Sequence, residues 1–136
     1  MIVADTSGLV ALFNRSEPAH GAVVAVVRAA RDPLVVSPFV IAEVDHLVAT
    51  RVGARAAVAV LRELSAGAYA LPALDDGDLR AAVDVMEWFS DQSIGVADAS
   101  IVVLADRYAT RRVLTLDRRR FEVLRAADGA PFELLP

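Results

Sequence analysis

The amino-acid sequence predicts an α/β fold in which helices cover both faces of a parallel sheet. Short apolar runs bounded by turn residues alternate along the chain with longer stretches of helical period. Strands separated by helical stretches imply parallel pairing, because a crossover must carry the chain back to the same end of the sheet. No internal repeat, linker or low-complexity tract interrupts the pattern, and 136 residues leave no room for a second core, so residues 1–136 are read as one domain.

The elements follow in order. Residues 2–4 form an apolar first strand, ended at once by Asp5-Thr6-Ser7-Gly8, a natural strand-to-helix turn. A short helix over 9–13 follows, then a second over 18–30 with Pro18 suited to its first turn. Residues 34–37 read as a buried strand between Asp32-Pro33 and Pro38. Ser37 as N-cap and Pro38 at the first helical position start a helix running to Thr50. Gly53 separates it from a helix over 54–65 that Gly67 closes, and 69–71 make a third strand. Helices over 76–89 and 96–108 precede strands over 112–116 and 132–135.

Composition narrows the chemistry. With no cysteine, disulfides and thiolate metal sites are excluded. The start, Met-Ile-Val-Ala-Asp, lacks a basic segment followed by an apolar one, and no uncharged apolar stretch is long enough to span a bilayer. A cytoplasmic protein without a membrane segment is the expectation. The hydrophobic content of 56% predicts a well-buried centre with apolar surface left for a partner. The net charge of −4 argues against a simple nucleic-acid coat but suits a carboxylate-lined metal site. Lysine is absent, which removes the partner that a phosphoacceptor domain needs; Asp-Thr-Ser-Gly is not the glycine-rich turn of a dinucleotide fold.

Chemistry in a parallel sheet gathers beyond the carboxyl ends of its strands. Asp5 directly follows the first strand and Asp117 directly follows 113–116, so both fall on that rim, and Thr115 shares the side of Asp117. Asp98 is the most informative acid. Ile94, Ile101, Val102, Ala105 and Ala109 share its helical face, and a carboxylate on an apolar stripe must be paired, protonated or bound to a cation. In the helix after Ser37, Glu43 and Asp45 flank the stripe of Val40, Ile41, Val44, Leu47 and Val48 on opposite edges, and periodicity does not choose between them. Singly, each acid reads equally well as a helix cap or a solvated edge residue. Gathered together, they need a hard cation.

Val-Ala-Asp-Thr-Ser-Gly (3–8), Ile-Ala-Glu-Val (41–44), Val-Ala-Asp-Ala-Ser (96–100) and Leu-Thr-Leu-Asp-Arg-Arg-Arg-Phe (114–121) resemble the PIN-domain family, and within it the VapC-type toxins of bacterial type II toxin–antitoxin systems. The resemblance covers nearly the whole chain in order. It implies a PIN-like three-layer α/β/α sandwich with a central parallel sheet of order 3-2-1-4-5. It implies an acidic pocket for Mg²⁺ or Mn²⁺, endonucleolytic RNA cleavage, a homodimer, and a cognate antitoxin that folds a tail over the pocket. Asp5, Glu43, Asp98 and Asp117 match the acidic positions, so the resemblance selects Glu43 over Asp45. Thr6 and Thr115 match the supporting hydroxyls.

Metal-held water would then attack the scissile phosphate without a His or Lys base, His20 and His46 being read as surface residues. Arg118, Arg119 and Arg120 follow Asp117 and can reach RNA phosphates; the competing reading is a solvated charged turn. Single-stranded or loop RNA is the expected substrate. The alternative to an endoribonuclease is a non-catalytic or housekeeping RNA- or protein-binding module whose acids only cap helices.

Overall fold

The computed structural model describes residues 1–136. The chain runs β1 (Ile2–Ala4), α1 (Thr6–Phe13), α2 (His20–Ala29), β2 (Leu34–Val36), α3 (Pro38–Arg51), α4 (Ala54–Leu64), β3 (Tyr69–Ala70), α5 (Asp76–Trp88), a 3₁₀ turn (Ser90–Gln92), α6 (Val96–Arg107), β4 (Arg112–Leu114), α7 (Arg118–Val123) and β5 (Glu133–Leu135). The sheet is wholly parallel with order β3-β2-β1-β4-β5, and helices flank it on both faces. No helix is long and apolar enough to cross a membrane.

Burial explains the strands. Every residue of β1 and β2 is buried, as a strand covered on both faces requires, and they join a continuous core of 25 buried apolar residues. The outer β3 is only half-buried. Boundaries are set by local chemistry. Ser37 accepts the amide of Phe39 and Pro38 opens α3, as the sequence predicts. Pro18 lies in the turn before α2, which starts at His20. His20, expected at the surface, is half-buried, and its Nδ1 lies 2.8 Å from the carbonyl oxygen of Ala11, tying α2 to α1. His46 is exposed.

Strand order positions the site. After β3 the chain crosses back over β2 and β1 and lays β4 on the far side of β1, so the winding direction reverses between β1 and β4. Such a reversal opens a crevice at the carboxyl ends of the two strands. In register, Ala4 pairs with Val36 on one side and Leu114 on the other. The next residues, Asp5, Ser37 and Thr115, therefore stand abreast on the carboxyl rim.

Candidate active site

Asp5 leaves β1 with its amide donating to the Leu114 carbonyl at 2.9 Å and becomes the N-cap of α1. Its Oδ2 accepts three hydrogen bonds: the Ser7 amide at 3.3 Å, the Ser7 hydroxyl at 2.6 Å and the Thr115 hydroxyl at 2.8 Å. One carboxylate oxygen is thus fixed and the other is left free to face the crevice. Thr115 also accepts the Asp117 amide at 2.9 Å, and Ser7 accepts the Leu116 amide at 2.9 Å. The ends of β1 and β4 are laced into one unit. The hydroxyl that bonds Asp5 from α1 is that of Ser7; Thr6 Oγ1 is fully buried, lies beside the Glu43 carboxylate, and makes no hydrogen bond of ordinary geometry.

Asp98 stands in the first turn of α6 with 6% of its surface exposed. Its Oδ2 accepts the Gly95 amide at 3.2 Å and Nη1 of Arg120 at 2.9 Å. The capping and the pocket-facing readings of this acid hold together. Burial raises its pKa above the ordinary value, against the opposing pull of the Gly95 amide and of Arg120. Glu43 is exposed as a residue, and its pKa is also raised, first by partial desolvation of its carboxyl at the pocket wall and then by the charges of Asp98 and Asp5, while Arg120 and Thr6 oppose the rise. Asp117 caps α7 by accepting the Arg120 amide at 3.2 Å, and its Oδ2 lies 3.5 Å from Nε of Arg120.

All four predicted acids line one open pocket with Thr6 and Ser7; Asp45 does not. Glu17 and Arg51 also line it, and the sequence reading did not pick them out. Arg51 had a signal: Glu43, Leu47 and Arg51 recur at four-residue spacing and so share one face of α3. Glu17 comes from the turn between α1 and α2, where no period exists to reveal it. The arginine run divides, because α7 begins at Arg118 and turns successive side chains apart. Arg120 points back into the pocket, Arg118 donates to the Pro136 carbonyl, and Arg119 lines a second, polar trough with Asp91, Gln92 and Ser93.

The donor set suits a hard divalent cation: carboxylates and hydroxyls from separate segments, with no imidazole or thiol, and the unbonded buried hydroxyl of Thr6 among them. No three of the acids converge within coordinating reach of one point, and Arg120 holds the ground between Asp98 and Asp117. Beside this pocket runs an apolar groove between α1, α3 and α4, lined by Phe13, Val48, Val52 and Val60 and sharing Val10, Leu47 and Arg51 with it.

Comparison with known proteins places the fold in a family. Residues 2–127 match the PIN domain model. The chain is 50% identical over 135 residues to Ribonuclease VapC26 of Mycobacterium tuberculosis, covering 99% of this chain and 100% of that one. Among solved structures, the chain superposes on M. tuberculosis VapC20, a sarcin-ricin loop cleaving toxin, with a TM-score of 0.80 at 19% identity, covering 88% and 92% of the two chains. It also superposes on VapBC2 of Rickettsia felis, solved with a promoter DNA fragment, with a TM-score of 0.73 at 17% identity over the full length of both chains. At these identities the structural likenesses speak for the fold.

Proposed function

This chain belongs to the PIN-domain family, and from that premise we propose that it is a divalent-metal-dependent endoribonuclease, the toxin of a type II toxin–antitoxin pair, acting in the cytoplasm as a single PIN domain over residues 1–136. The observation that carries the reading is the gathering of Asp5, Glu43, Asp98 and Asp117, from four separate segments, in one pocket at the point where the sheet reverses its winding. Caps alone would account for Asp5 and Asp117. They do not account for Glu43, which sits mid-helix, caps nothing and still lines the same pocket as the other three acids.

Asp5, Glu43, Asp98 and Asp117 would hold Mg²⁺, with Mn²⁺ as a substitute, and such an ion would supply Lewis-acid chemistry toward water and the phosphate. The chain's own residues do the rest. Ser7 and Thr115 pin one oxygen of Asp5 so that the other keeps its aim. Arg118 and Arg119 stand outside the carboxylates, where they draw RNA phosphates to an otherwise acidic pocket. Single-stranded or looped RNA is the substrate, since an open pocket admits a bent strand more readily than an A-form duplex. The apolar groove takes an amphipathic helix of the cognate antitoxin, whose polar tail then reaches the acidic pocket across Arg51. The toxin acts as a homodimer.

The test is cleavage of single-stranded RNA in Mg²⁺ or Mn²⁺, paired with growth after induction in a host lacking the partner. Wild type is expected to cleave and to arrest growth. Asp98→Asn and Glu43→Gln are expected to abolish both while remaining folded, whereas Asp45→Asn is silent. Retained cleavage and Mn²⁺ binding in Asp98→Asn would refute the four-carboxylate site, and harmless expression of folded, metal-loaded wild type would favour a binding module or a housekeeping nuclease.

A further inference from the structure

We infer that Arg120 is a built-in counter-ion that competes with the divalent metal for Asp98 and Asp117, and that metal binding releases its guanidinium toward RNA. The inference rests on the metal-site reading above and adds to it a residue whose role is set by exchange.

Asp98 leaves only 8% of its side chain exposed, and a carboxylate so placed requires a cation or a proton. Arg120 supplies the cation, with Nη1 at 2.9 Å from Asp98 Oδ2 and Nε at 3.5 Å from Asp117 Oδ2. This placement follows from the chain. Asp117 caps α7 and Arg120 is the third helical residue, so the two share one side of that helix, while Arg118 and Arg119 are turned away. Five acids and two arginines line the pocket, and Arg120 is the arginine paired to its carboxylates.

A guanidinium and a divalent ion cannot both sit against these oxygens. They repel one another, and the fork already uses the oxygen of Asp98 that also accepts the Gly95 amide. Once displaced, the side chain has a place to go. Asp117 and Arg120 line both the acidic pocket and the polar trough beside it, where Gln92, Ser93 and Arg119 offer further donors to a phosphate. The arginine that pairs with Asp98 and Asp117 would thereby become a phosphate contact when a cation takes its place.

Calorimetric titration of Mn²⁺ into wild type, Arg120→Gln, Arg120→Lys and Asp98→Asn separates the outcomes. Arg120→Gln is expected to bind Mn²⁺ about fivefold more tightly than wild type, the factor that corresponds to the upper end for a partly exposed ion pair. Arg120→Lys keeps a tethered charge and falls between the two. In wild type, Mg²⁺ should move the Arg120 Nε–H resonance away from its ion-paired position. Affinity in Arg120→Gln equal to or weaker than wild type would overturn the inference while leaving the metal site standing, since a residue that merely shapes the site loosens it when removed. Failure of wild type and both Arg120 variants alike to bind Mn²⁺ would overturn the metal-site reading itself, and this inference with it.

Discussion

Replacing Gly8 with alanine places a methyl carbon 2.4 Å from the carbonyl oxygen of Leu114, 2.8 Å from its carbonyl carbon and 2.9 Å from its Cγ. Two of those three atoms are backbone, and the backbone there cannot retreat. The Leu114 carbonyl accepts the Asp5 amide, and Leu114 is paired with Ala4 on one side and Leu135 on the other. The helix must lift instead. Overpacking of a closed core costs about 1–3 kcal/mol, and a clash against fixed backbone belongs at the upper end. At about 4 °C per kcal/mol for a chain of this size, the melting temperature should fall by roughly 10 °C. Lifting α1 also draws Ser7 from Thr115 and from the Leu116 amide, so Asp5 loses its aim and Mn²⁺ affinity should drop alongside. Thermal melts in EDTA and Mn²⁺ titration measure the two effects. Gly21→Ala is the control: it lies in α2 with open space around its Cβ position, and alanine there should stabilise by about 0.5 kcal/mol. A Gly8→Ala protein melting within 2 °C or so of wild type would refute the packing argument; lost stability with unchanged metal affinity would refute the link to the site.

Thr115→Val removes the donor to Asp5 and the acceptor of the Asp117 amide, so about 1–3 kcal/mol of stability and much of the metal affinity should go, with Thr115→Ser restoring both in the same melts and titrations. Alanine at Arg118 and Arg119 should flatten the salt dependence of single-stranded RNA binding by about 0.7 log units per lost phosphate contact, and an unchanged slope would assign both side chains to solvent. Asp98 holds its proton more tightly in the folded than in the unfolded chain, so its contribution to stability is present below the unfolded value and lost as pH rises through the folded one. In EDTA, Asp98→Asn should therefore gain on wild type in paired melts from about pH 4 upward, and a gap that narrows over that range would contradict the raised value.

Much of the scaffold is legible in the sequence because burial writes it there. The unbroken apolar runs of β1 and β2 mark strands covered on both faces, and Ser37-Pro38 marks the start of α3 through two independent preferences. The acids are legible where the fold constrains them twice. Asp5 and Asp117 follow strands, and Asp98 lies on an apolar face; Glu43 needed the family resemblance, since the two edges of its helix look alike in sequence. What escaped has a physical cause. α7 is a six-residue helix opening on three arginines, with Phe121 its one buried residue, too short for a period to show. Glu17 reaches the pocket from a turn, and Ser7 earns its place through a contact with Thr115, 108 residues away, that no local pattern encodes.

The central position of β1 governs when the enzyme can come into being. β1 precedes both of its partners, β2 and β4, in the chain, so one of its edges stays open until residue 114 has been made. The last of the four acids comes three residues later still, at Asp117. A nascent or prematurely ended chain therefore carries the acids piecemeal, with no pocket to gather them. Contacts of such long sequence separation also form slowly. Assembly of the pocket is in this way postponed until Asp117 has been made, and a chain caught before that point is not yet a nuclease.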